Sequence, residues 1–357
     1  MATFEETRDA LAERLFDAAV GTMDVYCVYL GDRLGLYREL EVGGPMTPGD
    51  LASAAGIDAR YAREWLEQQA ATGIVEVDDP SKPEDERRFS LPGGHAAVLT
   101  DPESLYAMAA TCRSLAAIGG FLPDLVAAFR SGDGVLIEGT DSVEAQGDFN
   151  RPWLVGSFAT VYLPTIPDID RRLREGARVA DVACGVGWAA IAIARAYPRT
   201  VVDGFDLDAA AIDLARRHAE DAGVADRVTF EARDASDPSS GGRYDLAVII
   251  EAVHDMSRPV EVLGAVRELL APGGSLVVAD ERVADRFHAP ADKRERLYYG
   301  YSVTDCLPAG LMEKPSAATG TVLRREKLER YAADAGFGST TVLPIEHDFL
   351  RFYRLDP

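Results

Sequence analysis

An apolar run, Val179-Ala-Asp-Val-Ala183, leads into a turn carrying Gly185 and Gly187, and an Ala-rich stretch follows from Trp188 to Tyr197. The run reads as a strand and the stretch after it as a helix. Strand, glycine turn and helix in that order bring backbone N–H groups and a helix N-terminus against an anionic or nucleotide-like group. The next apolar run, Val201-Val-Asp-Gly-Phe-Asp206, closes on an acid. That carboxylate falls where a ribose hydroxyl pair is bound, by the rule that it lies roughly 20 residues on.

The same alternation continues downstream. Strands are predicted near 178–183, 201–206, 227–233, 244–250 and 275–281, with helices near 188–197, 208–222 and 258–270 between them. Strands alternating with helices predict a parallel, doubly wound α/β sheet. After a helix near 325–335, the runs Thr340–Ile345 and His347–Arg354 read as an antiparallel hairpin on the sheet edge, which makes seven strands. A chain of 357 residues suggests two domains at about 150 residues each. The expected division is a mainly helical domain over 1–165 and the α/β domain over 166–357.

The N-terminal part begins with helix over 3–38. Thr47 caps a short helix ended by Gly56, a second runs from about Ala59 to Thr72, and Ile74–Val77 and Arg88–Leu91 flank a charged loop. Two helices and a two-stranded wing make a winged helix-turn-helix. DNA binding is nonetheless not expected. Residues 31–100 hold 7 Lys+Arg and 13 Asp+Glu, a net of 7 − 13 = −6, and the whole chain carries −22; a nucleic-acid or anionic-membrane partner needs a cationic face. Dimerisation and roofing of an active site fit better. No apolar run reaches the roughly 18 residues of a membrane span, and the acidic N-terminus has no apolar signal core, so a cytoplasmic location is expected. Cys27, Cys112, Cys184 and Cys306 are far apart, and no CxxC pair or Cys/His cluster suggests zinc or any other metal.

Alone, Gly185-Val-Gly-Trp-Ala-Ala190 also fits a dinucleotide fingerprint. Four details favour S-adenosylmethionine over NAD. Asp181 lies inside the strand, where it suits an α-ammonium and would repel a pyrophosphate. Arg233-Asp234-Ala235 ends the third strand, where an Asp and a backbone N–H read an adenine edge. Leu270-Ala-Pro-Gly-Gly274 turns into the fifth strand. The terminal hairpin leaves little sequence for a separate catalytic domain.

With the glycine turn, Phe205-Asp-Leu-Asp208, Arg233-Asp234, Glu251-Ala-Val-His-Asp-Met256 and Leu270–Gly274 in this order and spacing, the chain resembles the class I S-adenosylmethionine-dependent methyltransferases that carry an N-terminal winged-helix domain. It is most similar to actinobacterial members and, more distantly, to small-molecule O-methyltransferases. The resemblance implies a Rossmann-like sheet and a homodimer. It implies that Asp181 and the backbone at Ala183, Gly185 and Gly187 hold the methionyl ammonium and carboxylate. Asp206 would bind the ribose hydroxyls, Leu207 would pack on the adenine, and Asp234 with the Ala235 N–H would read its edge. Glu251 would face the methyl group or the cofactor tail.

A hydroxyl acceptor must lose a proton, so a general base helps. His254 follows the fourth strand at the carboxyl edge where ligands bind, and His254-Asp255 is similar to the His-Asp pair whose His is the base in the O-methyltransferases; Met256 departs from the Trp many of them carry. A histidine here also serves simply to hydrogen-bond within a loop. Asp255, next to it in sequence, is expected to cap the helix near Pro259 or stay solvated, not to touch the same ring. The excursion 284–320, with Tyr298-Tyr-Gly-Tyr301 and Cys306–Met312, is expected to help roof an apolar pocket, joined by Tyr26, Tyr29, Phe149, Trp153 and Phe158. The expected function is methyl transfer to a small aromatic or apolar metabolite. The alternatives are a non-methylating enzyme of the same fold, a metabolite-sensing winged-helix regulator, and an NAD-dependent oxidoreductase.

Overall fold

In the computed structural model, residues 2–135, 140–236 and 244–357 are described, with the side chains of 140–142 excepted. The chain divides into two compact units, Met1–Ala117 and Ile118–Pro357.

In the first unit, helix Phe4–Arg33 opens on a capping box between Thr3 and Glu6, and a left-handed Gly35 separates it from helix Leu36–Gly43. The single helix expected over 3–38 is thus two. Thr47 and Asp50 form a second capping box on helix Pro48–Ala55, which ends at left-handed Gly56. Asp58 caps helix Ala59–Ala71, and strands β1 (Glu76–Val77) and β2 (Phe89–Ser90) pair antiparallel as the wing. Leu36, Tyr37, Leu40, Leu51, Trp65, Leu66 and Phe89 form a core of their own.

The second unit is built on seven strands: β3 (Arg178–Val182), β4 (Val201–Asp206), β5 (Val228–Ala232), β6 (Tyr244–Ile250), β7 (Leu270–Glu281), β8 (Ser339–Val342) and β9 (Leu350–Asp356). Their order is β5-β4-β3-β6-β7-β9-β8; β3 to β7 run parallel, and β9 lies antiparallel between β7 and β8. Strand β9 therefore joins the main sheet, and the hairpin's loop spans 343–349, longer than the one- or two-residue link expected. Strand β7 starts at Leu270 and takes in the Pro-Gly-Gly turn.

Alternate residues of the central strands feed two cores. Val179, Leu246, Val248, Val277 and Ala279 enter one cluster, and Ala180, Val182, Ala247, Ile249, Leu276 and Val278 the other. Burial on both faces explains why these strands read as continuous apolar runs. The second unit begins well before the boundary expected at 165/166, because Leu154, Phe158, Leu163 and Ile166 pack into the sheet's own core. Pro152 lies inside helix Thr140–Trp153 and cannot donate to the preceding turn; the chain continues as a π-helix over Leu154–Tyr162.

Between β3 and β6 the sheet order reverses direction, and the crevice at such a reversal, outside the strands' carboxyl ends, is where ligands bind.

Candidate active site

Strand β3 leaves the sheet through Ala183, which takes a left-handed φ of 56°. The Cys184 N–H donates to the Phe205 carbonyl at 3.0 Å and the Gly187 N–H to the Cys184 carbonyl at 2.9 Å, which closes the turn. Gly185 and Gly187 are both left-handed, with φ of 51° and 86°, but need glycine for different reasons. A Cβ on Gly187 would lie 2.5 Å from Phe230 Cζ and 2.9 Å from Ala215 Cβ; one on Gly185 meets nothing within 4 Å. Gly187 keeps the turn packed on the protein, while Gly185 leaves open ground in front of it. Gly187 caps helix Trp188–Ala196 without a side-chain acceptor, so first-turn N–H groups remain for a ligand's anionic end.

Asp206, ending β4, accepts from the Gly185 N–H at 2.8 Å and from the Asp208 N–H at 2.9 Å. Burial pushes its pKa up, against those two bonds. Each oxygen keeps a lone pair for a further donor. Leu207 beside it is 68% exposed. Past β5, Asp234 accepts from the Ser236 hydroxyl and N–H at 2.7 and 2.8 Å, bonds that hold its carboxyl below the usual range. Ala235 is half-buried against the core. The turn, Asp206 and Asp234 thus stand at the ends of three neighbouring strands, about 5 Å apart per step, a span that suits an amino-acid end, a ribose and a base laid across the edge.

Asp181 is placed otherwise than expected. It lies beneath the turn, 1% exposed, and accepts the Ala190 N–H at 3.0 Å. Burial raises its pKa to about 7. Its visible work is to tie the strand to the helix. The N–H groups of Gly185 and Gly187 are also spent inside the protein, so neither offers a donor, and only Gly185 offers room.

At the other end of the crevice, Glu251 follows β6 with a left-handed φ of 49°, and its N–H donates to the Ala279 carbonyl at 2.7 Å. The Asn150 amide donates to its carboxylate, and the Trp153 indole N–H donates to Asn150 Oδ1 at 2.8 Å. Burial raises Glu251 to about 7, opposed by Asn150 and by His254.

His254 is 3% exposed. Its Nδ1 lies 3.0 Å from Asp280 Oδ1 and 3.0 Å from Glu281 Oε2, and its Nε2 lies 3.3 Å from Asp255 Oδ1. The single Nδ1 proton is directed at Asp280, and Glu281 Oε2 has no hydrogen bond. Burial would lower the ring's pKa, but the charges of Asp255, Glu281 and Asp280 outweigh it and carry the pKa well above its ordinary value. Asp255 touches the ring that it was expected to avoid, because the chain folds back at a turn in which its N–H donates to the Ala252 carbonyl at 3.1 Å. Nor does it cap the next helix, whose N-cap is Arg258 with no side-chain bond.

The excursion after β7 is helical over Lys293–Tyr301, π-helical over Ser302–Cys306 and helical again over Leu307–Gly310. It is fastened to the loop after His254: Ala317 N–H donates to the Ser257 carbonyl at 2.8 Å and Ser257 Oγ to Glu313 Oε2 at 3.1 Å. Phe158 and Tyr298 are core residues, 0% and 5% exposed, while Phe149 is 39% exposed. Tyr26 and Tyr29 lie on the first helix of the first unit. Asn150, Asp280 and Glu281 were not singled out from the sequence; the strand-end acid pair 280–281 was the available signal. His218 stacks on Trp188 at 4.3 Å, and His347 lies among Trp153, Tyr162 and Phe352.

Comparison with known proteins identifies the family of each part of the chain. Residues 173–336 match the "Methyltransferase domain" family and residues 22–101 the "Rv2258c-like winged HTH domain" family. The chain is 34% identical over 109 residues to 27-O-demethylrifamycin SV methyltransferase of Amycolatopsis mediterranei (strain S699), covering 30% of this chain and 40% of that protein. It thus spans about two-fifths of the length of that relative. Among solved structures, mitomycin 7-O-methyltransferase MmcR superposes with a TM-score of 0.68 at 20% identity, over 98% of both chains. Human N-acetylserotonin methyltransferase in complex with SAM gives 0.70 at 18%, over 100% of this chain and 99% of that one. At these identities the likeness speaks for the fold. The chain carries a methyltransferase domain, of the kind that takes S-adenosylmethionine, preceded by a winged helix-turn-helix domain of Rv2258c-like type.

Proposed function

We propose that this protein transfers the methyl group of S-adenosylmethionine to a hydroxyl of a small aromatic or apolar molecule, as a cytoplasmic homodimer that binds neither nucleic acid nor membrane. The carrying observation is the row of turn, Asp206 and Asp234 across β3, β4 and β5, with open space at Gly185. The names of the relatives, O-methyltransferases of small molecules, support the hydroxyl. Among the described residues, no single helix is long and apolar enough to cross a membrane.

When bound, the cofactor supplies a methyl group on a sulfonium, so the protein has chiefly to align and desolvate. Asp206 holds the ribose, and Leu207, Asp234 and Ala235 frame the base. Glu251, partly exposed and with a pKa near neutrality, accepts the acceptor's proton directly. His254, the base expected from sequence, is the alternative, with Asp255 Oδ1 3.3 Å from its Nε2.

Calorimetry with S-adenosylhomocysteine tests the reading. Wild type is expected to bind it and not NADH, and Asp206→Ala to lose about 1.5–3 kcal/mol, the worth of hydrogen bonds to a charged group. Equal affinity in the variant would place the ribose elsewhere, and binding of NADH alone would favour the oxidoreductase. A bound cofactor with no methyl transfer to any phenol or alcohol favours the non-methylating enzyme, and tight sequence-selective DNA binding the regulator.

A further inference from the structure

The chain holds 59 Asp and Glu residues but a single asparagine, Asn150. That one side-chain amide is spent on Glu251, between two partners whose chemistry leaves it one orientation. The Trp153 indole N–H can only donate, and it lies 2.8 Å from Asn150 Oδ1. A turned-over amide would set N–H against N–H. The amide nitrogen is therefore the atom that meets Glu251, and it donates to Oε2. We propose that Asn150 is a positioning residue for the transfer: locked by Trp153, it occupies Oε2 of Glu251 and leaves Oε1 as the oxygen that takes the acceptor's proton. This rests on the reading of Glu251 as the proton's destination.

The pair is braced from both sides. Asn150 and Trp153 are three residues apart on helix Thr140–Trp153, so they share a face. Trp153 meets Phe158, His347 and Phe352 edge to face, with ring centroids 5.8, 5.2 and 6.1 Å away. One turn earlier on the same helix, a Cβ on Gly147 would run into Val186 Cγ2, so glycine there lets the helix rest on the ligand turn itself. Opposite, the backbone of Glu251 is fixed by its left-handed φ of 49° and by its N–H on the Ala279 carbonyl. Amide and carboxyl are thus each held by their own element.

An N–H aimed at Oε2 makes that oxygen the carbonyl of the neutral acid, so an added proton sits on Oε1. Oε2 accepts from Asn150 whether the carboxyl is ionised or neutral; the bond survives the cycle and the side chain need not turn. In the transfer the acceptor's O–H bond breaks and its proton bonds to Oε1. The acceptor oxygen keeps the electron pair for its new bond to the methyl carbon, and the pair of the broken carbon–sulfur bond stays on sulfur. Glu251, partly exposed, then sheds the proton to water. The amide bonds more strongly to the ionised carboxylate than to the acid, so Asn150 opposes the rise that burial imposes on Glu251 and keeps more of it ionised near neutral pH.

The test is NMR on the full-length protein labelled with ¹⁵N at asparagine, which marks one side-chain amide because the chain has one asparagine. Over a pH titration its signals should move with a midpoint near 7, and in Glu251→Gln they should stop moving. A flat wild type, or a titration that persists in Glu251→Gln, overturns the proposal. Trp153→Phe keeps a packed ring and removes the indole N–H, so the midpoint should rise; an unchanged or lower midpoint overturns the lock, and this arm decides the matter should Glu251→Gln not fold. Asn150→Ala should keep its S-adenosylhomocysteine affinity while methyl transfer loses part of the about 10²- to 10⁴-fold that a positioned base is worth; lost affinity would make Asn150 a cofactor ligand and overturn the role. Full turnover by Glu251→Gln, with the wild-type titration present, would instead refute Glu251 as the proton's destination, so the two failures read out differently.

Discussion

At Gly185 and Gly187 two glycines two positions apart answer to different demands, and substitution separates them. Gly187→Ala combines a left-handed alanine, at about 1–2 kcal/mol, with a clash on Phe230 of about 1–3 kcal/mol; it should lower Tm by several degrees. Gly185→Ala carries only the backbone cost, since its Cβ meets no protein atom, so it should fold and lose S-adenosylhomocysteine affinity. Thermal melts and calorimetry on the pair check this, and equal effects in both assays would refute the division. Sequence alone made both residues legible as a ligand turn, because a strand-to-helix glycine turn is a local pattern. It did not show which glycine faces the ligand, nor that Asp181 points into the protein. That strand is covered on both faces, so alternation does not mark an exposed side. The His254 surroundings were hidden for another reason: Asp280 and Cys306 reach the ring from β7 and from the excursion beyond it, distances in sequence that no spacing rule spans.

Elements repeat the contrast. Some caps were readable from residue order: Thr47 and Gly56 bound their helix as expected, while the structure adds Asp50 to the Thr47 box and Asp208 as the cap of helix Ala209–Asp221. The register of the last hairpin was not, since Leu343, Ile345 and Phe349 alternate with other residues and so pass for strand. Helix Phe4–Arg33 is the element whose chemistry is least satisfied within the unit. Leu11, Leu15, Phe16, Val20 and Met23 are 47–70% exposed, an apolar surface of the kind that marks an interaction site. If a second copy of this chain covers it, light scattering should find a dimer in wild type and a monomer in Leu15→Glu/Phe16→Glu. A monomeric wild type, or a variant that stays dimeric, would remove this helix from the interface.

Across the whole molecule, acids whose pKa values folding raises tie stability to pH. Asp181 and Glu251 move from ordinary values of 3.8 and 4.5 to about 7. Between roughly pH 4 and 7 the folded chain therefore binds more protons than the unfolded one, and stability falls as pH rises through that window. Asp181→Asn, which keeps an acceptor for the Ala190 N–H, should flatten the fall; melts from pH 5 to 8 that show the same slope in both proteins would contradict the assignment. The two units carry separate cores, and the two matched families cover 22–101 and 173–336. Between them runs the stretch that passes from an α-helix holding Pro152 into a π-helix and sends Asn150 to the Glu251 carboxylate. The segment outside both family patterns thus reaches the reacting end of the crevice. Changes in that segment are expected to alter what the crevice accepts while leaving both family patterns intact.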